Sequence, residues 1–593
     1  MPVPTDTRRG HRGRSLFAFW LILALLWFLP LNAPHLFDPD EGRYGEIPRE
    51  MVASGDWVTP RLDAIKYFEK PALQYWATAL AYELFGQRAW TARLWPALCG
   101  FLGLLLSWAL ARRLYDERTA MLAVIVQASA LLYVGLARFT TLDMSLSFSL
   151  QIAMSALVLL LRRAATSPAV APAGAVAAPA GAVAAPAGTV AAATATATAT
   201  DAGAGAGAGA WRWSLLLGLG VALAVLSKGL VGILIPGAVT VLFMIIYREP
   251  RALLRLQPWW STAVLLGLAT PWFVLVSVRN PEFPHFFFVF EHFQRYLSRA
   301  GFDRFEPFWF FVPVLALGLL PWTTLLPRAI AEGARAARSG DRAAALLLIW
   351  ALFVFVFFSL SQSKLVPYIL PTLPALSLLI ARALARLPAA RFAAHLRAVS
   401  ALAAGIGAII LLLWRVPAAG PLARASTASI LGFASAFLLL ALGAALGVRL
   451  SRRGHVVAAA AAAAIGSLLL VQAALLAAEQ LPRMRAVVEL EQHLRPWVSG
   501  ATRVYCVGDY LQPIPFYLQR PCTLVGYRGE LDFGLQQEPW LALADLKQFA
   551  LVWQQQSNAL AILRPEDYRQ LEALGAPMHV IYTAPSFVAV QKP

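Results

Sequence analysis

Cysteine is almost missing: three residues in 593. That excludes a disulfide framework and a cysteine-rich metal site. Charge is scarce too. Asp, Glu, Lys and Arg make up 14% of the chain and hydrophobic residues 59%, whereas a soluble globular chain carries about a quarter charged residues. An ordinary soluble domain is thereby excluded, and the composition is that of a polytopic α-helical membrane protein. The first apolar run, SLFAFWLILALLWFLPLNAP, follows a basic stretch covering residues 1–14. It lacks a small-x-small cleavage site, so it reads as a retained first span with a cytoplasmic N-terminus rather than a signal peptide. The net charge of +18 is scattered among loops, which fits orientation-setting Lys and Arg and not a nucleic-acid partner.

A span needs roughly 20 apolar residues. Thirteen candidates occur within 15–479, near 15–34, 89–112, 117–137, 143–161, 212–227, 230–247, 258–278, 308–326, 343–361, 366–384, 397–415, 427–449 and 456–478. An odd number from a cytoplasmic start puts the C-terminus in the periplasm. The loops ARRLYDER, LRR, YREPRALLR, RAIAEGARAARSGDR, ARALARLPAARFAAHLR and RLSRRGH then all face the cytoplasm and all are basic, as the positive-inside rule requires. Residues 164–210 are Ala/Gly-rich repeats with Pro and no large side chain; they read as a disordered cytoplasmic linker. Residues 480–593 alternate strand-like segments (VYCVG, TLVGY, LAILRP, HVIYTAPSFVAV) with helix-like ones, predicting a small periplasmic α/β domain. Cys506 and Cys522 fall on neighbouring predicted strands, where either a disulfide or two buried thiols is compatible with an oxidising compartment.

Three outer segments break the pattern of charge-poor outside turns: 35–88, 279–306 and the SQSK turn. In 37–51, FDPDEGRYGEIPREM, seven of fifteen residues are charged. Short aromatic-rich helices are expected at about Arg43–Ser54 and Pro71–Leu84, the second with Pro in its tolerated first turn, both lying at the membrane interface. Snorkelling would explain Arg49 and Arg61. It explains Asp40, Glu41, Glu69 and Lys70 poorly, since carboxylates near hydrocarbon are costly without partners. Asp143 closes ARFTTLD and would cap the next span in a purely structural role, helped by Thr140 or Thr141. Lys228 sits in LSKG, Lys364 and Tyr368 in SQSKLVPY, and the 279–306 loop offers His285, Glu291, His292 and Arg295. Cations and carboxylates gathered on one face suit an anionic substrate.

DPDEGRYGEIPREM, FEKPALQYW, RFTTLDMS, LSKG and FFSLSQSKLVPYILPTLPALSLL together resemble the bacterial transferases of 4-amino-4-deoxy-L-arabinose to lipid A. These are integral-membrane glycosyltransferases of the GT-C type, related to protein O-mannosyltransferases. The resemblance covers residues 15 to about 400 and is weaker beyond. It implies a GT-C fold, an undecaprenyl phosphate-linked sugar as donor, lipid A as acceptor, an inner-membrane location among membrane lipids, and no required cofactor. It matches the carrier-phosphate cations to Arg43 and Lys70, and the loop carboxylates to Asp40, Glu69 and Asp143 as catalytic candidates. Tyr44, Lys228, Lys364 and Tyr368 complete the expected phosphate-binding set. Glu69, Asp143 and His285 are the candidate ligands of a divalent metal should folding bring them together.

Two other functions compete. A related transferase could use another polyprenyl-phosphate sugar, such as mannose, on a protein or lipid. A lipid transporter or flippase would place ionisable residues near the bilayer midplane and show repeated halves, whereas here they gather at one face and no internal repeat is visible. The C-terminal domain lacks a Gly-rich phosphate loop and a recognisable nucleophile motif, which favours a scaffold or substrate-gating role for it.

Overall fold

The computed structural model describes residues 7–163, 209–294, 306–414 and 426–592. The Ala/Gly-rich segment 164–208 and Arg295 lie outside the described residues, as does the side chain of His292.

Among the described residues, nine helices are long and apolar enough to cross a membrane: Leu94–Leu114, Leu142–Arg162, Ala210–Lys228, Pro258–Arg279, Arg342–Leu360, Val366–Ala385, Ala389–Trp414, Thr427–Arg452 and Val456–Glu479. The other four apolar segments depart from a straight span. Leu16–Asn32, at the end of α1 (Thr7–Phe28), and Val231–Tyr247 are shorter apolar helices. The expected 117–137 span is two helices, Glu117–Ser129 and Leu131–Leu136, broken at the extended residue Ala130. The expected 308–326 span turns by 110° between Phe311–Gly318 and Thr323–Arg338, next to Pro321, which has no N–H to continue a helix. The two breaks satisfy each other. Leu131 N–H donates to the Leu320 carbonyl at 3.2 Å, and the Trp322 indole donates to Ser129 Oγ at 2.9 Å. Interrupted backbone survives at membrane depth where it finds partners inside the protein. Leu142–Arg162 is the central helix, 94% buried, whereas Pro258–Arg279 is 17% buried and presents Leu266, Val274 and Val278 outward.

The segment after the first span forms α2 (Asp40–Ser54), a two-stranded hairpin of β1 (Arg61–Leu62) and β2 (Ile65–Lys66), and α3 (Leu73–Phe85). Asp40 and Glu41 occupy the first turn of α2, where the helix dipole favours carboxylates. The hairpin turns through Asp63 and Ala64, both at positive φ (52° and 65°), the geometry of a tight primed turn.

The C-terminal domain carries a five-stranded sheet in the order β4-β3-β5-β7-β6, formed by β3 (Arg503–Val507), β4 (Cys522–Val525), β5 (Ala559–Leu563), β6 (His579–Thr583) and β7 (Val588–Gln591). Strands β4, β3 and β5 are parallel, and β7 pairs antiparallel with β5 and β6. Alternate residues face opposite sides. Tyr505 and Val507 pack on Phe549 and Trp553 of the domain's own helix. Val504 and Cys506 share a core with Tyr44, Ile47 and Met51 of α2 and with Leu62 and Ile65 of the hairpin. One face of the domain's sheet therefore shares its core with the loop after the first span. Cys506 and Cys522 are free, buried thiols, and a hydrogen bond with Cys506, with burial, pushes the Cys522 thiol well above its usual range.

Backbones meet where α2 crosses the Pro513–Leu518 helix. A Cβ on Gly42 would lie 2.4 Å from Pro513 N and 2.5 Å from the Gln512 carbonyl carbon. Gly42→Ala should therefore separate the domain from α2 and destabilise the protein by about 1–3 kcal/mol, read as a lower melting temperature of the purified protein.

The snorkelling roles expected for Arg49 and Arg61 are not what the structure contains. Arg49 is buried in a forked pair with Glu46 at 2.5 and 2.7 Å. Arg61 makes a forked pair with Glu538 of the C-terminal domain at 2.9 and 3.1 Å. Beside Arg49, Glu46, Glu50 and Asp63 bring carboxylate oxygens within 4.8 Å of one another. Glu50 accepts from the Asp63 and Ala64 amides at 2.6 and 2.8 Å, and Asp63 Oδ1 accepts from the Cys522 amide at 2.6 Å. Burial pushes all three carboxyls up, Asp63 to about 8. Asp63 faces Glu46, Glu50 and Arg49 from α2, and Tyr510 and Cys522 from the C-terminal domain. An ordinary Asp titrates near about 3.9, so the fold binds a proton that the unfolded chain releases. The stabilisation is complete below about pH 4 and is lost as pH rises through about 8. Thermal unfolding between pH 5 and 9 should show stability falling with pH, and Asp63→Asn, neutral at every pH, should flatten that slope.

Candidate active site

The site grows from the first turn of α2. Arg43 lies one helical turn after Asp40 and pairs with it. Its other fork arm pairs with Glu530, from the Gly529–Leu531 turn of the C-terminal domain. The Arg43 guanidinium carbon sits 4.9 Å from the centre of the Tyr44 ring and 6.0 Å from that of Tyr67, and Tyr44 stacks on Tyr75 at 6.1 Å. Three donors here have no acceptor within the described protein: Arg43 Nε, Tyr67 Oη and Tyr75 Oη, all buried. Burial holds the Tyr67 and Tyr75 hydroxyls protonated, far above their ordinary pKa. The Arg43 Nε and two phenols, buried donors with no acceptor among the described residues, form a wall suited to an oxyanion.

The FEKP segment forms the next wall. Lys70 Nζ donates to the Glu69 carbonyl at 2.9 Å and lies 3.5 Å from the Glu69 carboxylate and 3.4 Å from that of Glu291. Glu291 belongs to the π-helix His285–Gln294. The same segment is tied down by Lys66–Glu282 at 2.7 Å. The charges of Asp40, Glu69 and Asp143 all act on the Tyr44 hydroxyl, which burial first and these carboxylates next push up while Arg43 opposes them. The three carboxylates expected to be catalytic thus share an electrostatic influence on Tyr44.

Asp143 is not an N-cap. Its helix starts one residue earlier, and its carboxylate holds Lys228 Nζ at 2.5 Å. Lys228 also lies 4.5 Å from the centre of the Tyr368 ring, so Asp143, Lys228 and Tyr368 form one station, a grouping that their separate motifs did not show. Lys364 is set differently: it is buried and donates to the carbonyls of Ser361 at 2.6 Å and Glu306 at 2.8 Å, bracing the turn that presents Tyr368.

The proposed metal set is not assembled. Glu69, Asp143 and His285 do not come within 4.8 Å of one another, whereas Glu46, Glu50 and Asp63 do. Asp143 is engaged by Lys228 and Glu69 lies against Lys70, while His285 is exposed at the start of the π-helix. Residues unseen in the sequence are Glu530, Tyr67, Tyr75 and Arg93. Tyr67 flanks FEKP directly and Tyr75 lies in the first turn of α3, within the motif FEKPALQYW, so proximity to that motif was an available signal. Glu530 had none, since 487 residues of sequence separate it from Arg43 (530 − 43). Arg93 makes a buried forked pair with Glu41 at 2.8 and 2.7 Å, which anchors α2 to the start of the Leu94–Leu114 span.

Comparison with known proteins gives matches along the whole chain. A family model described as the aminoarabinose transferase C-terminal domain matches residues 490–592. One described as dolichyl-phosphate-mannose-protein mannosyltransferase matches residues 69–178. The undecaprenyl phosphate-alpha-4-amino-4-deoxy-L-arabinose arabinosyl transferase 1 of Sodalis glossinidius is 35% identical over 383 residues, which is 63% of this chain and 59% of that protein. The corresponding enzyme of Aeromonas salmonicida is 30% identical over 366 residues, 62% of this chain and 59% of the relative. The chain thus spans about three fifths of the length of these curated relatives. The crystal structure of ArnT from Cupriavidus metallidurans bound to undecaprenyl phosphate superposes with a TM-score of 0.83 at 33% identity, covering 98% of both chains; the apo state gives 0.81 at the same identity and coverage. With a third of its residues identical across nearly the full length of that structure, the chain belongs to the aminoarabinose transferase family, the polytopic glycosyltransferases that include ArnT.

Proposed function

We propose that the protein transfers 4-amino-4-deoxy-L-arabinose from undecaprenyl phosphate to a phosphate of lipid A at the periplasmic face of the inner membrane. The observation that supports this most is the group of buried donors without acceptors at Arg43, Tyr67 and Tyr75, with Lys70 next to Glu69, whose charge acts on Arg43. Such a wall suits the phosphate of a lipid carrier, and a relative of the same fold has been crystallised with undecaprenyl phosphate.

The departing group is the carrier phosphate, which gains charge as the sugar bond breaks. Arg43 and Lys70 aimed at it stabilise the transition state more than the ground state. A phosphate monoester acceptor is largely ionised near neutral pH, its second pKa being about 6, and needs little general-base help. Asp40, half exposed and at the mouth of the site, is left to orient the reacting groups; Glu69 and Asp143 hold Lys70 and Lys228. No step requires a metal.

A thirteen-crossing topology with a cytoplasmic N-terminus and a periplasmic C-terminal domain accompanies this reading. It is supported by the grouping of contacts: Arg61–Glu538, Lys66–Glu282 and Arg279–Asp56 join the outer segments, while Arg342–Glu249 and Arg382–Asp341 join the basic loops. Adding a cationic sugar lowers the negative surface charge of lipid A, so cationic peptides such as polymyxin bind less well.

Expression in a Gram-negative strain lacking its own transferase tests the proposal. Lipid A should gain the mass of aminoarabinose, and polymyxin resistance should rise. Unmodified lipid A from well-expressed protein, with another polyprenyl-linked sugar consumed, would replace the donor and acceptor named here. Donor turnover in detergent micelles, which have no two sides, would exclude transport as the sole activity.

A further inference from the structure

Arg43 is held by one carboxylate from each module. Asp40 comes from the same helix and is 51% exposed; Glu530 comes from the C-terminal domain and is 16% exposed. The Gln512 side-chain amide also donates to Glu530, and Gln512 is itself fixed, its N–H bonded to Asp38 at 3.2 Å and its backbone against Gly42. Glu530 is therefore a positioned carboxylate, set beside the guanidinium proposed to handle the carrier phosphate. A pyranose bonded to that phosphate extends about one ring width from it, and a 4-amino sugar carries an ammonium on its far side.

We infer that Glu530 recognises the amino group of the donor sugar and so determines specificity for a cationic sugar; this rests on the function proposed above. When the phosphate takes the Arg43 fork, the oxygen of Glu530 that faced Arg43 is released next to the sugar. One ion pair becomes two: guanidinium with phosphate, and carboxylate with ammonium. The division of the family matches points the same way. The part matching mannosyltransferases, whose sugar is neutral, is 69–178, and the part matching aminoarabinose transferases is 490–592, which contains Glu530. Among the described residues, Glu530 is the carboxylate of that second part that pairs with Arg43.

The test is a ratio measured on the purified full-length protein in detergent. The donors are undecaprenyl phosphate–4-aminoarabinose and its N-acetylated analogue, which has no charge on the sugar. Both carry the same phosphate, so any disturbance of Arg43 divides out of the ratio of their kcat/KM values. The wild type should prefer the amine by at least about tenfold. Glu530→Gln should remove most of that preference, through the amine donor, and Glu530→Asp should retain part of it. Equal losses on both donors in Glu530→Gln would overturn the inference, leaving Glu530 as a holder of Arg43. Loss of the preference in Asp40→Asn but not in Glu530→Gln would overturn it too and move the role to Asp40. A wild type that turns over both donors without preference would overturn the inference while leaving transfer intact; one that uses neither would overturn the parent function with it.

Discussion

Replacing Arg43 by alanine should lower sugar transfer by roughly 10²–10³-fold, the effect of removing one donor aimed at developing charge in a water-poor site. Arg43 is 11% exposed, and its Nε has no acceptor within the described protein, so its charge acts at short range and low screening. Arg43→Lys should recover only part of the activity, because a point charge cannot span two oxygens as the planar fork does. Lys70→Ala should lose activity in the same way, since its ammonium lies beside Glu69, whose charge also acts on Arg43. The check is lipid A mass spectra alongside membrane protein levels. Well-folded Arg43→Ala that still modifies lipid A at near wild-type rate would remove Arg43 from the phosphate site. Affinity for undecaprenyl phosphate separates the two steps: a loss of turnover larger than the loss of affinity marks a contact that strengthens as the bond breaks.

Breaking the Glu41–Arg93 pair should be the most damaging change to stability. Neither side chain is more than 2% exposed. Glu41 also accepts from the Thr140 amide at 2.9 Å and the Phe37 amide at 3.1 Å. Arg93 also donates to the carbonyls of Leu31, Pro34 and His35 at 3.1, 2.6 and 3.1 Å. Removing one partner leaves a buried charge without its counter-charge, which costs about 3–5 kcal/mol. Arg93→Ala or Glu41→Ala should therefore fail to accumulate, or should melt far below wild type in detergent. An apolar replacement of both residues should recover only part of the loss, because five backbone groups (two amides and three carbonyls) would remain without partners. Near-normal melting of Arg93→Ala would mean that water or neighbouring groups take over the pairing.

The two losses are separable although Glu41 and Arg43 sit only two positions apart on α2. Arg43 pairs with Glu530 of the C-terminal domain, and Glu41 pairs with Arg93 at the start of the span that begins at Leu94. A resistance phenotype lost in both variants would have different causes: absent catalysis at normal protein level for Arg43, absent protein for Glu41.

Much of this arrangement was legible in the chain. The apolar runs marked the nine helices long enough to cross a membrane among the described residues, because a length of about 20 apolar residues is a local property. The charged cluster 37–51 and the FEKP motif pointed to the candidate site, since ionisable side chains at a membrane boundary persist only with partners or a task. The Asp143–Lys228–Tyr368 station was present as three separate motifs. What failed were statements about partners. Arg49 and Arg61 looked like snorkelling residues, yet they pair with Glu46 and Glu538. Glu69, Asp143 and His285 looked able to share a metal, yet Lys70 and Lys228 engage the two carboxylates. The spans at 117–137 and 308–326 passed the length test and are nonetheless broken, because each break is stabilised by the other, 189 residues away (320 − 131).

The sequence by itself determined the membrane class and the presence of an α/β C-terminal domain, and singled out Arg43, Lys70 and Lys228 as candidate cations, since each follows from hydropathy, alternation or a contiguous motif. Tertiary structure alone decided that the C-terminal domain shares its core with the loop after the first span, that Gly42 touches Pro513, and that Glu530 reaches Arg43. The physical reason is range: burial and periodicity are encoded within a few residues, whereas a buried charge is stabilised by whatever opposite charge the fold carries to it, from any distance along the chain.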